Sequence, residues 1–176
     1  MIAEFGATAW GHAWLRTAEP TRVTRPNPLL PRARKLSRDY SITGLTIVPG
    51  QLTATMGAHQ VQITVPQWPA ETLTLVTTLL ADHPPAAPGD LPDTLATTLH
   101  RAGVEIAPPS DSLLAQCDCR DRRAHCVHVL VTLYLLVQAV DERPALAVEL
   151  RGAVITGPAD PDWVPLGEVS VAGFYG

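Results

Sequence analysis

Lysine is nearly missing from this sequence: Lys35 stands alone beside twelve arginines, and charged residues of both signs make up only 17% of 176 positions. With 46% apolar residues, such a chain is not a disordered polymer held open by charge. Long hydrophobic runs are missing too. The longest, Val129 to Val137, falls far short of the about 20 residues that span a bilayer. Glu4 stands where an export signal carries positive charge. Cysteine is scarce and poorly placed for cross-linking: there are three, an odd number, all between positions 117 and 126. These absences predict a cytoplasmic protein with no membrane partner, whose cysteines do something other than form disulfides. No Gly-x-Ser-x-Gly elbow, dinucleotide Gly-x-Gly-x-x-Gly or Walker A sequence occurs, so no enzyme is expected.

Proline, in contrast, is abundant, at seventeen against twelve glycines. It divides the chain into segments that can be read one at a time. Residues 7–18 predict a short helix capped by Thr8 and closed by Pro20, with Trp10 and Trp14 four apart on one face. That spacing favours a core pair over a base-stacking platform. Residues 20–38, with prolines at 20, 26, 28 and 31, are expected to run extended over the surface. Residues 40–65 alternate apolar and polar as a three-stranded antiparallel meander, broken at Pro49-Gly50 and Gly57-Ala58. Helices are predicted at Pro69–Ala81, with Leu73, Val76, Leu79 and Leu80 on one side, and at Leu91–Ala102, stopped by Gly103. Residues 125–140 are apolar nearly all round, the pattern of a central buried helix. The fold class is therefore α+β: a small antiparallel sheet packed with helices.

The chemistry is concentrated in Cys117-Asp-Cys119-Arg-Asp-Arg-Arg-Ala-His125-Cys126-Val-His128. Three thiols and an imidazole, spaced C-x-C, six residues, then C-x-H, are the ligand set of a closed tetrahedral Zn²⁺ site. On an extended strand (Leu113–Cys119), Cys117 and Cys119 point to the same side. Residues two apart inside a regular helix diverge, so Cys126 is expected at or before the N-cap of the long helix, with His128 reaching back from its first turn. His125 is the alternative to His128. Four protein ligands leave no open position, so one structural Zn²⁺ is predicted and not a catalytic one. His12, His59, His83 and His100 are scattered and read as structural or exposed.

The C-x-C…C-x-H arrangement at the start of a buried helix resembles the SWIM zinc finger. The wider chain, over about residues 5–152, is similar to small actinobacterial (bacterial) SWIM proteins. The shared features are a segment like Trp10-Gly-His-Ala-Trp14-Leu, an Arg-rich linker, a small sheet with two helices, the finger, and a closing Leu150-Arg151-Gly152. One departure is Met56-Gly-Ala-His-Gln60, where family members often carry a basic turn. The resemblance implies a zinc-bound strand-loop-helix, and the sequence itself divides into four stretches. These are 1–38 (Trp helix and Arg/Pro-rich linker), 39–112 (sheet and two helices), 113–152 (SWIM-type finger with buried helix) and 153–176 (extended tail). The resemblance also implies DNA binding, protein–protein interaction, or service as a separate subunit beside a SWI2/SNF2-type ATPase.

Charge narrows where such contacts would lie. The net charge is −4, which is not that of a polycation coating nucleic acid. Residues 1–40 nevertheless carry a net +4 and the remainder a net −8. Candidate phosphate or partner contacts are Arg22, Arg25, Arg32, Arg34, Lys35 and Arg38 in the linker, and Arg120, Arg122 and Arg123 in the cysteine loop. Two readings follow: a nucleic-acid-associated accessory protein, or an interaction module that scaffolds a larger assembly through acidic and aromatic surfaces. For the second, the tail around Asp160, Asp162 and Trp163 is a candidate docking strip.

Overall fold

The computed structural model describes residues 5–21, 25–38, 42–85, 87–121, 123 and 125–155. Arg22, Arg122 and the tail around Asp160, Asp162 and Trp163 lie outside the described residues. The elements follow in the order α1 (Ala9–Ala18), α2 (Leu30–Leu36), β1 (Ile42–Val48), β2 (Gln51–Met56), β3 (His59–Thr64), α3 (Ala70–Asp82), α4 (Asp93–Arg101), β4 (Leu114–Cys117), α5 (Val127–Glu142) and α6 (Ala145–Glu149).

The α+β class holds, with one strand more than the meander predicted. β4 joins the far side of β3, giving a fully antiparallel sheet in the order β1-β2-β3-β4. The strand runs over Leu114–Cys117, shorter than the expected Leu113–Cys119, and Cys119 lies beyond its end. Alternation along β2 and β3 buries Leu52, Ala54, Val61 and Ile63 and leaves Gln60, Gln62 and Thr64 exposed. Register sets Ala54 opposite Val61, and Val61 opposite Cys117. One row of inward side chains thus leads from the core to the first cysteine. Gly50 turns the first hairpin with φ +74°, a conformation that Gly adopts without steric cost.

α5 is the central helix. Nine of its residues are buried, among them Leu130, Leu133, Tyr134, Leu136 and Val137, and it packs on α1, α2, α6 and the sheet. Burial of this kind stabilises by roughly 1.5–3 kcal/mol per large side chain, so a helix apolar all round belongs inside. Trp10 and Trp14 are buried in the same core, and the Trp10 indole N–H donates to the Leu91 carbonyl at 3.2 Å. The tryptophan pair is core and presents no stacking platform.

The linker corrects an expectation. Residues 30–36 are not extended but form α2, whose Ala33 is fully buried against Leu130, Val131 and Tyr134 of α5. The prolines mislead because Pro31 occupies the start of the helix, where a missing N–H breaks no bond. Asn27 contributes by accepting the Leu29 N–H through its side chain at 3.0 Å. Behind α2, Arg34 forms an ion pair with Glu19, and Tyr134 donates its hydroxyl to the same carboxylate at 2.5 Å.

The segment after α6 closes the sheet end. Gly50 N–H donates to the Leu150 carbonyl and Trp68 N–H to the Arg151 carbonyl, both at 2.9 Å. The buried Arg151 guanidinium lies over the Trp68 ring and donates to the Pro66 carbonyl. None of the helices of the described residues is long and apolar enough to cross a membrane.

Candidate metal centre

β4 delivers Cys117 at its last position, and the chain turns through Asp118 to Cys119. The loop returns to Cys126, the N-cap of α5, with extended backbone (φ −70°, ψ 172°). His128 follows in the first helical turn. The extended cap resolves the divergence that two-residue spacing would impose inside a helix. The ligand-type atoms of Cys117, Cys119, Cys126 and His128 all lie within 4.8 Å of one another. This gathering of three sulfurs and one nitrogen makes the segment a candidate metal-binding motif. His125 is not among the gathered residues; its backbone carbonyl accepts from the Asn27 side chain at 3.1 Å.

The separations fit an ion. Bonds of about 2.3 Å to sulfur and 2.0 Å to nitrogen in a tetrahedron leave S···N edges of about 3.5 Å. The Cys117 Sγ to His128 Nδ1 distance is 3.7 Å. Cys126 is buried, whereas Cys117, Cys119 and His128 are half-buried at the rim of the core.

The electrostatics agree with this donor set. Burial pushes the Cys117 thiol up to about 12; the Cys119 backbone amide opposes the rise, and the Cys119 and Cys126 thiols add to it. Burial also raises Cys126, while the amides of Val129 and His128 at the helix start pull it back, although neither makes a full cap hydrogen bond. Sulfurs held this way are protonated on their own, and a cation among them reverses that preference, so uptake releases protons. Burial lowers the His128 pKa first, and the nearby His59 lowers it further; this favours the neutral ring that ligates.

The arginines predicted as contacts are not equivalent. Arg34 is engaged with Glu19 and Tyr134, and Arg123 with Asp121, Nε to Oδ1 at 3.7 Å. Arg25, Arg32, Lys35, Arg38 and Arg120 are exposed or partly so, with Arg38 over the Phe5 ring. The Asn27–His125 hydrogen bond makes the linker and the cysteine loop neighbours in space, and the charge of Arg32 in α2 contributes to lowering the His128 pKa.

Two participants escaped the sequence reading. His59, dismissed as scattered, lies with its ring against that of His128, centroids 4.5 Å apart. Asp118, given no role in the sequence analysis, accepts from Gln60 N–H and pairs with His59 Nδ1, each at 3.1 Å. The alternation of β3 places His59 at the strand start, but only its pairing with β4 brings it to the cysteines. Among the described residues no catalytic arrangement is evident beyond the thiol–imidazole cluster itself. No family model, no curated protein and no solved structure matches this chain.

Proposed function

We propose that this chain is a non-catalytic zinc-binding accessory protein associated with nucleic acid. One Zn²⁺ is held by Cys117, Cys119, Cys126 and His128, and the observation that carries this is the gathering of their four ligand atoms within 4.8 Å. A zinc ion closed by four protein ligands supplies cross-linking free energy and offers no reactive water. Here it would tie the edge strand β4 to the start of the central helix. The similarity of the motif to the SWIM finger supports the assignment and brings in a SWI2/SNF2-type ATPase as a partner class.

Support for nucleic acid comes from proximity. Asn27 binds the His125 carbonyl and Arg32 acts on His128, so cations from two distant stretches lie near one loop. Arg25, Arg32, Lys35, Arg38 and Arg120 are the proposed contacts; Arg34 and Arg123 already have acidic partners. Those two ion pairs and the net charge of −4 favour a second reading, a scaffold module that binds protein without touching nucleic acid.

Fluorescence anisotropy of labelled single- and double-stranded DNA with zinc-loaded protein separates the two. Direct phosphate contact gives binding that weakens steeply with salt, and the triple change Arg32→Gln, Lys35→Gln and Arg120→Gln lowers the slope by about one unit per lost contact. Absence of binding at low salt leaves the scaffold reading.

A further inference from the structure

We propose that His59 and Asp118 are positioning residues for the metal centre: Asp118 fixes His59, and His59 lies against His128 and holds its Nδ1 toward the three sulfurs. The inference rests on reading the cluster as a metal site, and it assigns work to two residues outside the ligand set.

The arm begins on the sheet. Asp118 N–H donates to the Gln60 carbonyl at 3.3 Å, and Gln60 N–H donates to the Asp118 carboxylate at 3.1 Å, so the residue between two ligand cysteines is held from both its backbone and its side chain. The same carboxylate oxygen faces His59 Nδ1 at 3.1 Å. A carboxylate only accepts, so Nδ1 of His59 carries the proton and its ring plane is set. That ring meets His128 at 4.5 Å between centroids, with 34° between planes. Among the described residues, the hydrogen-bonding contact of the His128 ring is with Cys117 Sγ. Rotation of the ligand imidazole is thus opposed by a tilted ring packed against it, where metal-bound histidines commonly rely on a hydrogen bond from outside the ligand set.

The chemistry requires such a brace here. Cys126 and the cap geometry are fixed by the core, but His128 is half-buried and its ring turns on a broad torsion. Three thiols without an oriented fourth donor form a looser and less selective site. With the ring held, Nδ1 stands 3.7 Å from Cys117 Sγ, close to a tetrahedral edge.

Cobalt(II) titration of the full chain, followed by zinc competition against a chromophoric chelator, tests the arm. His59→Ala is expected to weaken Co²⁺ and Zn²⁺ binding by about 10- to 100-fold and to alter the cobalt ligand-field spectrum. His59→Phe keeps a ring face against His128 and is expected to recover most of the affinity. Asp118→Asn keeps the accepting oxygen and should behave like the parent chain, whereas Asp118→Ala should follow His59→Ala. A parent chain that loads stoichiometrically, beside a His59→Ala variant with the same affinity and spectrum, overturns the positioning role alone. A parent chain that takes up no cobalt overturns the metal reading and this inference with it.

Discussion

The carboxylate of Asp141, in the last turn of α5, stands where a β-carbon on Gly11 would be, with Oδ1 only 2.0 Å from that position. From there it accepts the N–H groups of Gly6 and Thr8 at 2.8 and 2.9 Å and the Thr8 hydroxyl at 2.9 Å. The Thr8 oxygen in turn accepts the Gly11 N–H, as an N-cap does. One acidic side chain from the central helix thus organises the entry to α1, and Gly11 leaves room for it.

Gly11→Ala is therefore expected to destabilise the protein even though alanine is the better helix former by about 1 kcal/mol. The added methyl must displace Asp141 from its donors, and overpacking of this kind costs about 1–3 kcal/mol. Urea unfolding of the two proteins decides it. A variant of equal or greater stability would mean that Asp141 swings aside freely.

Asp141→Ala removes the acceptor of three hydrogen bonds and is expected to cost about 2–4 kcal/mol, since bonds to a charged group each contribute about 1.5–3 kcal/mol before partial replacement by water. Combined with Thr8→Ala, the losses should fall short of additivity, because both changes break the same network. Strict additivity in a double-mutant cycle would dismantle the network picture.

Tyr134 makes a pH prediction. Burial first, then its hydrogen bond to Glu19, raise its pKa above 10.0, while Arg34 opposes them. A raised folded-state pKa means that the native state holds the phenolic proton more tightly than the unfolded chain does. The associated stability is complete below pH 10 and is lost as pH rises beyond it, through the folded-state value. The melting temperature of the parent chain should fall relative to Tyr134→Phe as pH crosses 10. A constant difference between the two would remove the linkage.

Cys119→Ser is expected to abolish stoichiometric zinc and lower the melting temperature, by roughly 2–4 °C for each kcal/mol lost in a chain of this size. Chelation of the parent protein should reproduce the shift, and chelation of the variant should add nothing. Zinc-free Cys119→Ser that melts with the loaded parent would leave the ion no structural part.

Local chemistry made much of this molecule legible. The four-residue spacing of Trp10 and Trp14, the alternation around Val61 and Ile63, and the unbroken apolar character of α5 each state a requirement that the fold then meets. The extended cap at Cys126 followed from stereochemistry alone, because side chains at 126 and 128 cannot converge inside a helix. What stayed hidden depends on contacts between distant segments. Pro31 looks like a breaker until it is known to begin a helix docked on α5. β4 is too short and too exposed to announce its pairing with β3. α6, five residues behind Pro144, carries no periodicity to detect. His59 becomes informative only when β4 has brought Asp118 beside it.

The place of β4 in chain order has a consequence for biogenesis. β1 to β3 are complete by Thr64, yet the strand that closes the sheet ends at Cys117 and the helix that covers it begins at Val127. During synthesis, Leu52, Ala54, Val61 and Ile63 leave the ribosome long before their lid exists. Non-local closure of this sort is slow and leaves an adhesive surface in the interval. The half-made chain is thus a natural client for chaperones. On the proposed zinc reading, metal starvation at that moment is expected to drive the protein into aggregate.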